Sequence, residues 1–447
     1  MLNRLASFFV RIVERWMPDP FLFCLLLTLL TYVLALGLTP ASPLELTTQW
    51  YDGLWKILPF AMQMILILLT GYTLASSRPV RQVLERIASA PRSQGSAIVV
   101  LTVVSALASL VNWGFALVAS ALLAKEMGRR VPGCDFGFLV AGAYSGFVIW
   151  ASGASSSIAL VSATAGSEMN LIARYTGVET VALSQTLLAP MNLVLVAGTF
   201  LTLPLMFRLM MPRGAQIRRL DPALLAEAET ATDDTIASGR TPAQRLERSR
   251  LLLYLLVLLG GVFLASHFYR RGLELNLNVV ILIFLVVGMA LHVRPASYVR
   301  AFNQAARVVG PLALQYPLYG GIMGMMQDSG LAGVISHWFV SVSSQLTFPF
   351  FCFVSSILIT LFIPSGGGHW VVQGPFVIPA AVTLGVSPAV TAMAVAFGEQ
   401  TGNMVQPFWA LPILAIAGLS IRDIMGYCVM TFLLSAALTT LVLFLLA

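Results

Sequence analysis

Glu399 is the residue whose chemistry is hardest to explain away. Of nineteen acidic residues it is the only one that falls well inside an apolar stretch, and an ionisable group at membrane depth is costly and marks function. Gln400, Thr401 and Asn403 stand beside it. Such a carboxylate could help coordinate a sodium ion or carry a proton; the structural alternative is a hydrogen bond pinning an unwound turn. His369 is the one histidine placed deep in an apolar stretch, whereas His267, His292 and His337 fall near the ends of theirs. It follows Ser365, Gly366, Gly367 and Gly368, where successive glycines leave the backbone bare to a ligand. The imidazole there is a proton carrier, a donor to a carboxylate, or a neutral ring satisfied by backbone.

Ser152, Ser155, Ser156 and Ser157 supply hydroxyls around Gly153, with back-bonding to their own helix as the alternative. Asn112, Trp113 and Gly114 offer an amide, a ring to cover a substrate tail and a tight turn. The expected substrate site is therefore Asn112, Trp113, Gly114, Ser152, Ser155, Ser156, Ser365, Gly366, Gly367, Gly368 and His369. The expected coupling-ion site is Glu399, Gln400, Thr401 and Asn403, with any Na+ near Glu399 and Asn403. No Lys or Arg is placed at this depth, so an anion must be neutralised by helix dipoles, hydroxyls, amides or a bound cation.

These residues need elements that can carry them into a bilayer. The chain has 447 residues, 58% hydrophobic and only 10% charged, against roughly 25% charged in a soluble domain, which excludes a water-soluble globule. Continuous spans fit 21–38, 54–75, 187–211, 251–268, 276–293, 308–327 and 424–446. Four further apolar stretches are interrupted. Stretch 97–124 breaks at 111–115 and 348–384 at 364–370, and their half-length arms fit re-entrant hairpins. Stretch 136–165 breaks at 152–157 and 388–418 at 398–404, fitting discontinuous spans with unwound middles, and Asp135 and Asp423 look like helix caps. The fold class expected is an all-α polytopic membrane protein with two inverted-topology repeats, each with a re-entrant hairpin and a discontinuous transmembrane helix.

The order of span, amphipathic segment, hairpin, broken span and full span occurs over 54–211 and again over 308–446, and an odd number of intervening crossings inverts the second unit. With the N-terminus inside, 22 of the 26 basic residues fall on the cytoplasmic side, leaving Lys56, Arg174, Arg270 and Arg271 outside. The expected organisation is an interfacial amphipathic helix at 1–20 with no cleaved signal, a first span and unit at 21–211, a cytoplasmic linker at 212–250, and two connecting spans with the second unit at 251–447. The net charge of +7 comes from basic residues spread over short loops, which argues against nucleic acid. Cys24, Cys134, Cys352 and Cys428 lack metal-type spacing and read as packing residues.

Unwound backbone at membrane depth is tolerated only where it is buried in protein or lines a cavity. Paired broken helices in inverted repeats are the pattern of secondary transporters, which bind substrate between the repeats. The alternatives are an anion channel and an intramembrane enzyme using His369 and Glu399 on a lipid-linked substrate; no metal-spaced cluster, nucleophile motif or phosphate loop supports the enzyme.

Six runs carry a resemblance: Trp16-Met17-Pro18-Asp19-Pro20, Val111-Asn112-Trp113-Gly114-Phe115, Ile363-Pro364-Ser365-Gly366-Gly367-Gly368-His369-Trp370, Gln373-Gly374-Pro375-Phe376, Gln406-Pro407-Phe408-Trp409-Ala410 and Arg422-Asp423-Ile424-Met425-Gly426-Tyr427. The chain resembles the bacterial short-chain fatty acid transporters over nearly its whole length. That resemblance implies a carrier of acetoacetate or butyrate in the inner membrane and a place in the ion transporter superfamily. It also implies a homodimer and an elevator mechanism; the residues themselves lead to the expectation of H+ or Na+ as coupling ion without any other cofactor, and the composition to contact with membrane lipids. The serine-rich stretch at 151–157 and Thr401-Gly402 depart from the family pattern and imply a wider, more polar pocket.

Overall fold

The computed structural model describes residues 20–212, 241–247, 249–406 and 408–447, and every regular element among them is helical. The expected interfacial helix at 1–20 and most of the linker at 212–250 lie outside the described residues. Helix α1 (Pro20–Leu38) leads into the amphipathic α2 (Pro43–Lys56) and the buried α3 (Leu58–Ala75). The span expected from 54 is thus split at Ile57. Helix α2 starts at a capping box in which Ser42 N–H donates to Glu45 at 2.8 Å and Glu45 N–H donates to Ser42 Oγ at 3.3 Å. Hydrogen bonding to the carboxyl from the Ser42 backbone N–H, and then from the Ser42 side chain, holds Glu45 below the usual carboxylate range.

After α4 (Arg78–Ser89), α5 (Gln94–Val111) and α6 (Trp113–Arg130) form the first hairpin, pivoting on Asn112 alone. Each arm has 18 residues, roughly 27 Å at 1.5 Å per residue, so the arms are longer than the half-spans expected. The surplus of α6 carries Arg129 and Arg130, both paired with Glu126, at 3.1 and 2.9 Å. The first discontinuous helix follows as α7 (Phe136–Ser145), a 3₁₀ segment (Gly146–Ser152) and α8 (Ser157–Ser162). Asp135 caps α7, accepting from Phe138 N–H at 2.7 Å. Helices α9 (Leu171–Thr176) and α10 (Pro190–Leu209) complete the first unit.

Helices α11 (Pro242–Glu247), α12 (Arg250–Arg271), α13 (Leu277–His292) and α14 (Pro295–Ala306) connect the units. The second unit runs α15 (Gly310–Asp328), α16 (Leu331–Val342), the hairpin α17 (Phe348–Thr360) and α18 (Gly366–Leu384), the discontinuous pair α19 (Pro388–Gly402) and α20 (Ala410–Ala417), and α21 (Ile421–Leu446). The same order of elements therefore recurs. Asp423 closes a capping box with Ser420 at the start of α21.

Two breaks sit elsewhere than expected. Gly366, Gly367 and Gly368 form the first turn of α18, so the second hairpin breaks before them. Glu399 and Gln400 lie within α19, whose break begins at Asn403. Glycine is a poor helix former, so a glycine-rich first turn reads in sequence as a loop, although the first four N–H groups of a helix have no intrahelical partner in any case. The chain stays helical through Gly402, which packs directly on Thr360 of α17.

Leucines of α12, among them Leu251, Leu255, Leu258 and Leu259, lie on the outside, as do Leu26, Leu29 and Leu30 of α1. A bilayer is the environment in which such surfaces are stable. The four cysteines are free and buried.

Close backbone approach fixes the first unit. A Cβ on Gly153 would meet the backbone of Leu110, at 2.6 Å from its Cα, whereas Gly261 on α12 has open space around it. Gly153→Ala is expected to destabilise the protein by about 1–3 kcal/mol, and Gly261→Ala to be neutral or stabilising by up to about 1 kcal/mol. Thermal unfolding in detergent checks both; a Gly153→Ala protein as stable as wild type would refute this packing.

Candidate functional site

The four breaks converge. One cavity is lined by Trp113 from the first hairpin tip, Trp150 and Ser157 from the first discontinuous helix, Ser365 and Gly366 from the second hairpin tip, and Trp409 from the second break. Met64 of α3, Phe147, and Leu312 and Tyr316 of α15 complete the wall. Ser157 Oγ and Glu399 Oε2 would lie 2.8 and 3.1 Å from a Cβ on Gly366, so Glu399 stands at the edge of this cavity. Ser365 Oγ and Tyr316 Oη are 2.7 Å apart.

The two discontinuous helices are joined by polar side chains. Gln400 Oε1 accepts from Ala151 N–H at 3.1 Å and from Ser152 Oγ at 3.2 Å. Asn403 accepts from the Trp150 indole at 2.9 Å through Oδ1 and from the Tyr144 hydroxyl at 2.7 Å through its carbonyl. Asn192 at the start of α10 donates to the freed Ser152 carbonyl at 2.8 Å, and Ser155 N–H donates to Leu110 O at 3.3 Å.

Against this background, some buried atoms stand out for having no partner among the described residues: both carboxylate oxygens of Glu399, Gln400 Nε2, Asn403 Nδ2 and Ser155 Oγ. Buried polar groups are ordinarily satisfied, and exceptions demand an explanation. Here the exceptions include acceptors suited to a cation or proton and donors suited to an anion. These five atoms lie on the two discontinuous helices, although buried atoms elsewhere, such as Trp50 Nε1, Ser105 Oγ and Asn192 Oδ1, also lack a partner among the described residues; those residues hold no metal-type cluster of His, Cys, Asp and Glu.

The residues expected from sequence sort into three groups. Ser365, Gly366 and Trp113 line the cavity; Glu399 borders it. Ser152, Gln400 and Asn403 bind the breaks to each other. Ser155 belongs to none of the three: it does not line the cavity and its Oγ has no partner among the described residues. The remainder do structural work. Asn112 caps α6, accepting from Phe115 N–H at 2.8 Å, and its Nδ2 donates to Ile67 O at 3.4 Å. Gly114 lets that turn touch Leu68 of α3, and Ser156 caps α8. Gly367 and Gly368 make room for Phe60, Tyr316 and Tyr319. Thr401 bonds Ser435 at 2.7 Å. His369 is engaged within its own hairpin, with Nε2 facing Gln373 Oε1 and Ser356 Oγ at 3.1 Å, and is absent from the cavity lining. Sequence reading missed the cavity roles of Trp150, Phe147, Tyr316, Met64 and Leu312, which lie in helical stretches without a polar interruption to mark them.

Comparison with known proteins gives a consistent result. The family model described as "Short chain fatty acid transporter" matches residues 1–446. A curated relative from Escherichia coli (strain K12), named for short-chain fatty acid transport, is 44% identical over 438 residues, 98% of each chain. A second, from Haemophilus influenzae and named likewise, is 40% identical over 438 residues, again 98% of each chain. Among solved structures, the Alcanivorax borkumensis YdaH transporter, described as having an unusual topology, matches with a TM-score of 0.57 and 16% identity, over 95% of this chain and 98% of that one. That likeness is one of fold.

If Asn112 acts as a cap, Asn112→Ala should destabilise the protein by about 1 kcal/mol and Asn112→Ser should recover most of the loss. Thermal unfolding of the purified variants checks this; an Asn112→Ala protein of unchanged stability would return Asn112 to the ligand-binding candidates.

Proposed function

The chain belongs to the short-chain fatty acid transporter family and is a multi-pass membrane protein, and on that premise we propose that it is a secondary active carrier moving a small monocarboxylate, such as acetoacetate or butyrate, together with H+ or Na+. The observation that carries the proposal is the unpartnered Glu399 carboxyl beside a cavity where four helix breaks meet.

The substrate carboxylate sits at the start of α18, against the Gly366 amide and the hydroxyls of Ser157 and Ser365. Free N–H groups and the dipole of a helix N-terminus favour an anion there. Glu399 is the obstacle. Two unit charges about 4 Å apart repel by about 4 kcal/mol at an effective dielectric near 20, a factor of roughly a thousand in affinity. The anion therefore binds only when Glu399 has taken up a proton or a cation, with Asn403 next to a bound Na+. This mutual dependence couples the two fluxes.

The distribution of basic residues supports a cytoplasmic N-terminus and an inner-membrane location. On that topology the two units are inverted, and the recurring order of elements supports that reading. The resemblance supports a homodimer with an elevator mechanism that carries the site between the two faces.

Glu399→Gln removes the charge and keeps the shape. In proteoliposomes under imposed proton or sodium gradients, it should abolish concentrative uptake of labelled butyrate or acetoacetate while counterflow exchange persists. Gradient-driven accumulation equal to wild type would remove Glu399 from the coupling role.

A further inference from the structure

The cavity has an interior of about 10 Å³, room for no more than about one water, so substrate enters only when other parts of its lining withdraw. We propose that Trp113 and Trp409 form a fixed aromatic wall that sets the length of alkyl chain accepted when it opens, an inference that rests on reading that cavity as the carboxylate site. The lining divides by chemistry. Ser157, Ser365 and Gly366 are polar, and Glu399 borders that part of it. Met64, Leu312, Phe147, Trp113 and Trp409 supply the apolar and aromatic part, while Trp150 lies against Gly366 and Tyr316 bonds Ser365 through its hydroxyl. A monocarboxylate divides in the same way, so with its head at Gly366 and Ser157 its tail is left to the apolar wall.

A wall measures length only if it cannot give way, because binding selectivity depends on groups held in place by their surroundings. Trp113 is held from both sides. The preceding Asn112 caps α6 through Phe115 N–H and reaches across to Ile67 O. The following Gly114 lies so close to α3 that its Cβ would stand 3.0 Å from Leu68 Cα and from Leu68 O. The backbone of the hairpin tip is thereby clamped to α3, which fixes the point from which the indole projects. Trp409 is tied at its own end, its indole N–H donating to Pro364 O just before the second hairpin's first turn. The two rings meet edge to face, with centroids 4.9 Å apart and planes at 63°, a favoured aromatic geometry. The wall thus joins one break in each unit, and both rings are buried.

A methylene more or less in a rigid hydrophobic pocket changes selection by roughly 10- to 200-fold. Shortening the wall should therefore shift preference towards longer acids. Isothermal titration of the purified full chain with butyrate, hexanoate and octanoate tests this in detergent, where passive diffusion of the acids does not interfere. Wild type is expected to favour butyrate over octanoate by at least tenfold, Trp113→Ala to raise the octanoate-to-butyrate affinity ratio tenfold or more, and Trp113→Phe to retain most of the preference. If Trp113→Ala fails to fold, Trp113→Leu carries the same expectation with a smaller loss of packing. Butyrate binding with an unchanged ratio in the folded variant, or a wild type indifferent to chain length, overturns the wall. A folded wild type that binds no short acid overturns the carboxylate reading of the cavity, and the wall with it.

Discussion

Backbone freed inside apolar surroundings must find a partner within the protein, and here each break is satisfied largely by another break. The unwound stretch of the first discontinuous helix gives Ala151 N–H to Gln400, the Ser152 carbonyl to Asn192 and Ser155 N–H to the first hairpin at Leu110. The second break sends its Asn403 carbonyl back to Tyr144. The tip of the second hairpin gives the Pro364 carbonyl to Trp409. No break could be placed alone, and this mutual dependence brings residues from distant parts of the sequence to one cavity.

Glycines allow that convergence sterically. Gly153 lies against Leu110, Gly366 against Trp150 and Ser157, and Gly398 against Ser356. A side chain at any of these would force the neighbouring backbones apart, and interiors packed at crystal-like density have little slack to absorb it. Glu399 is the carboxylate of this network, and with Gln400 Nε2, Asn403 Nδ2 and Ser155 Oγ it is left without a partner among the described residues. Its backbone position is set by α19, whose Gln400 and Asn403 are committed to cross-links, yet its own oxygens have no protein donor among the described residues. On the proposed mechanism that gap is what a proton or sodium ion fills.

Much of this was legible in the sequence, because the bilayer makes span length and interruption strong signals. Helices stand in the seven stretches read as continuous spans, the one from 54 split at Ile57, and interruptions fall at or near the four expected sites, all from hydropathy and the placement of glycine, proline and polar residues. Register was less legible. Gly366, Gly367 and Gly368 look like a loop but form a helical turn, since glycine in a first turn is favoured by aromatic rings packing on it, a tertiary fact. Glu399 looked like part of an unwound turn because Gly398 and Gly402 flank it, yet those glycines serve contact with Ser356 and Thr360 of α17. Asn112 was chemically ambiguous, and only the direction of its amide towards Phe115 and Ile67 separates a cap from a ligand. Trp113 was legible at its break as a ring that could cover a substrate tail, but its pairing with Trp409 was not, because the two are 296 positions apart in the chain and meet only through the fold.

The central claim is that a carboxylate binds among the four breaks beside Glu399. The most direct measurement is an experimental structure of the protein with butyrate bound. The carboxylate is expected within hydrogen-bond distance, about 3 Å, of the Gly366 amide or Ser157 Oγ, with the alkyl tail towards Trp113 and Trp409. Butyrate bound with its carboxylate outside this cavity, for example among Lys56, Gln63 and Asn278, which line a separate pocket, would contradict it.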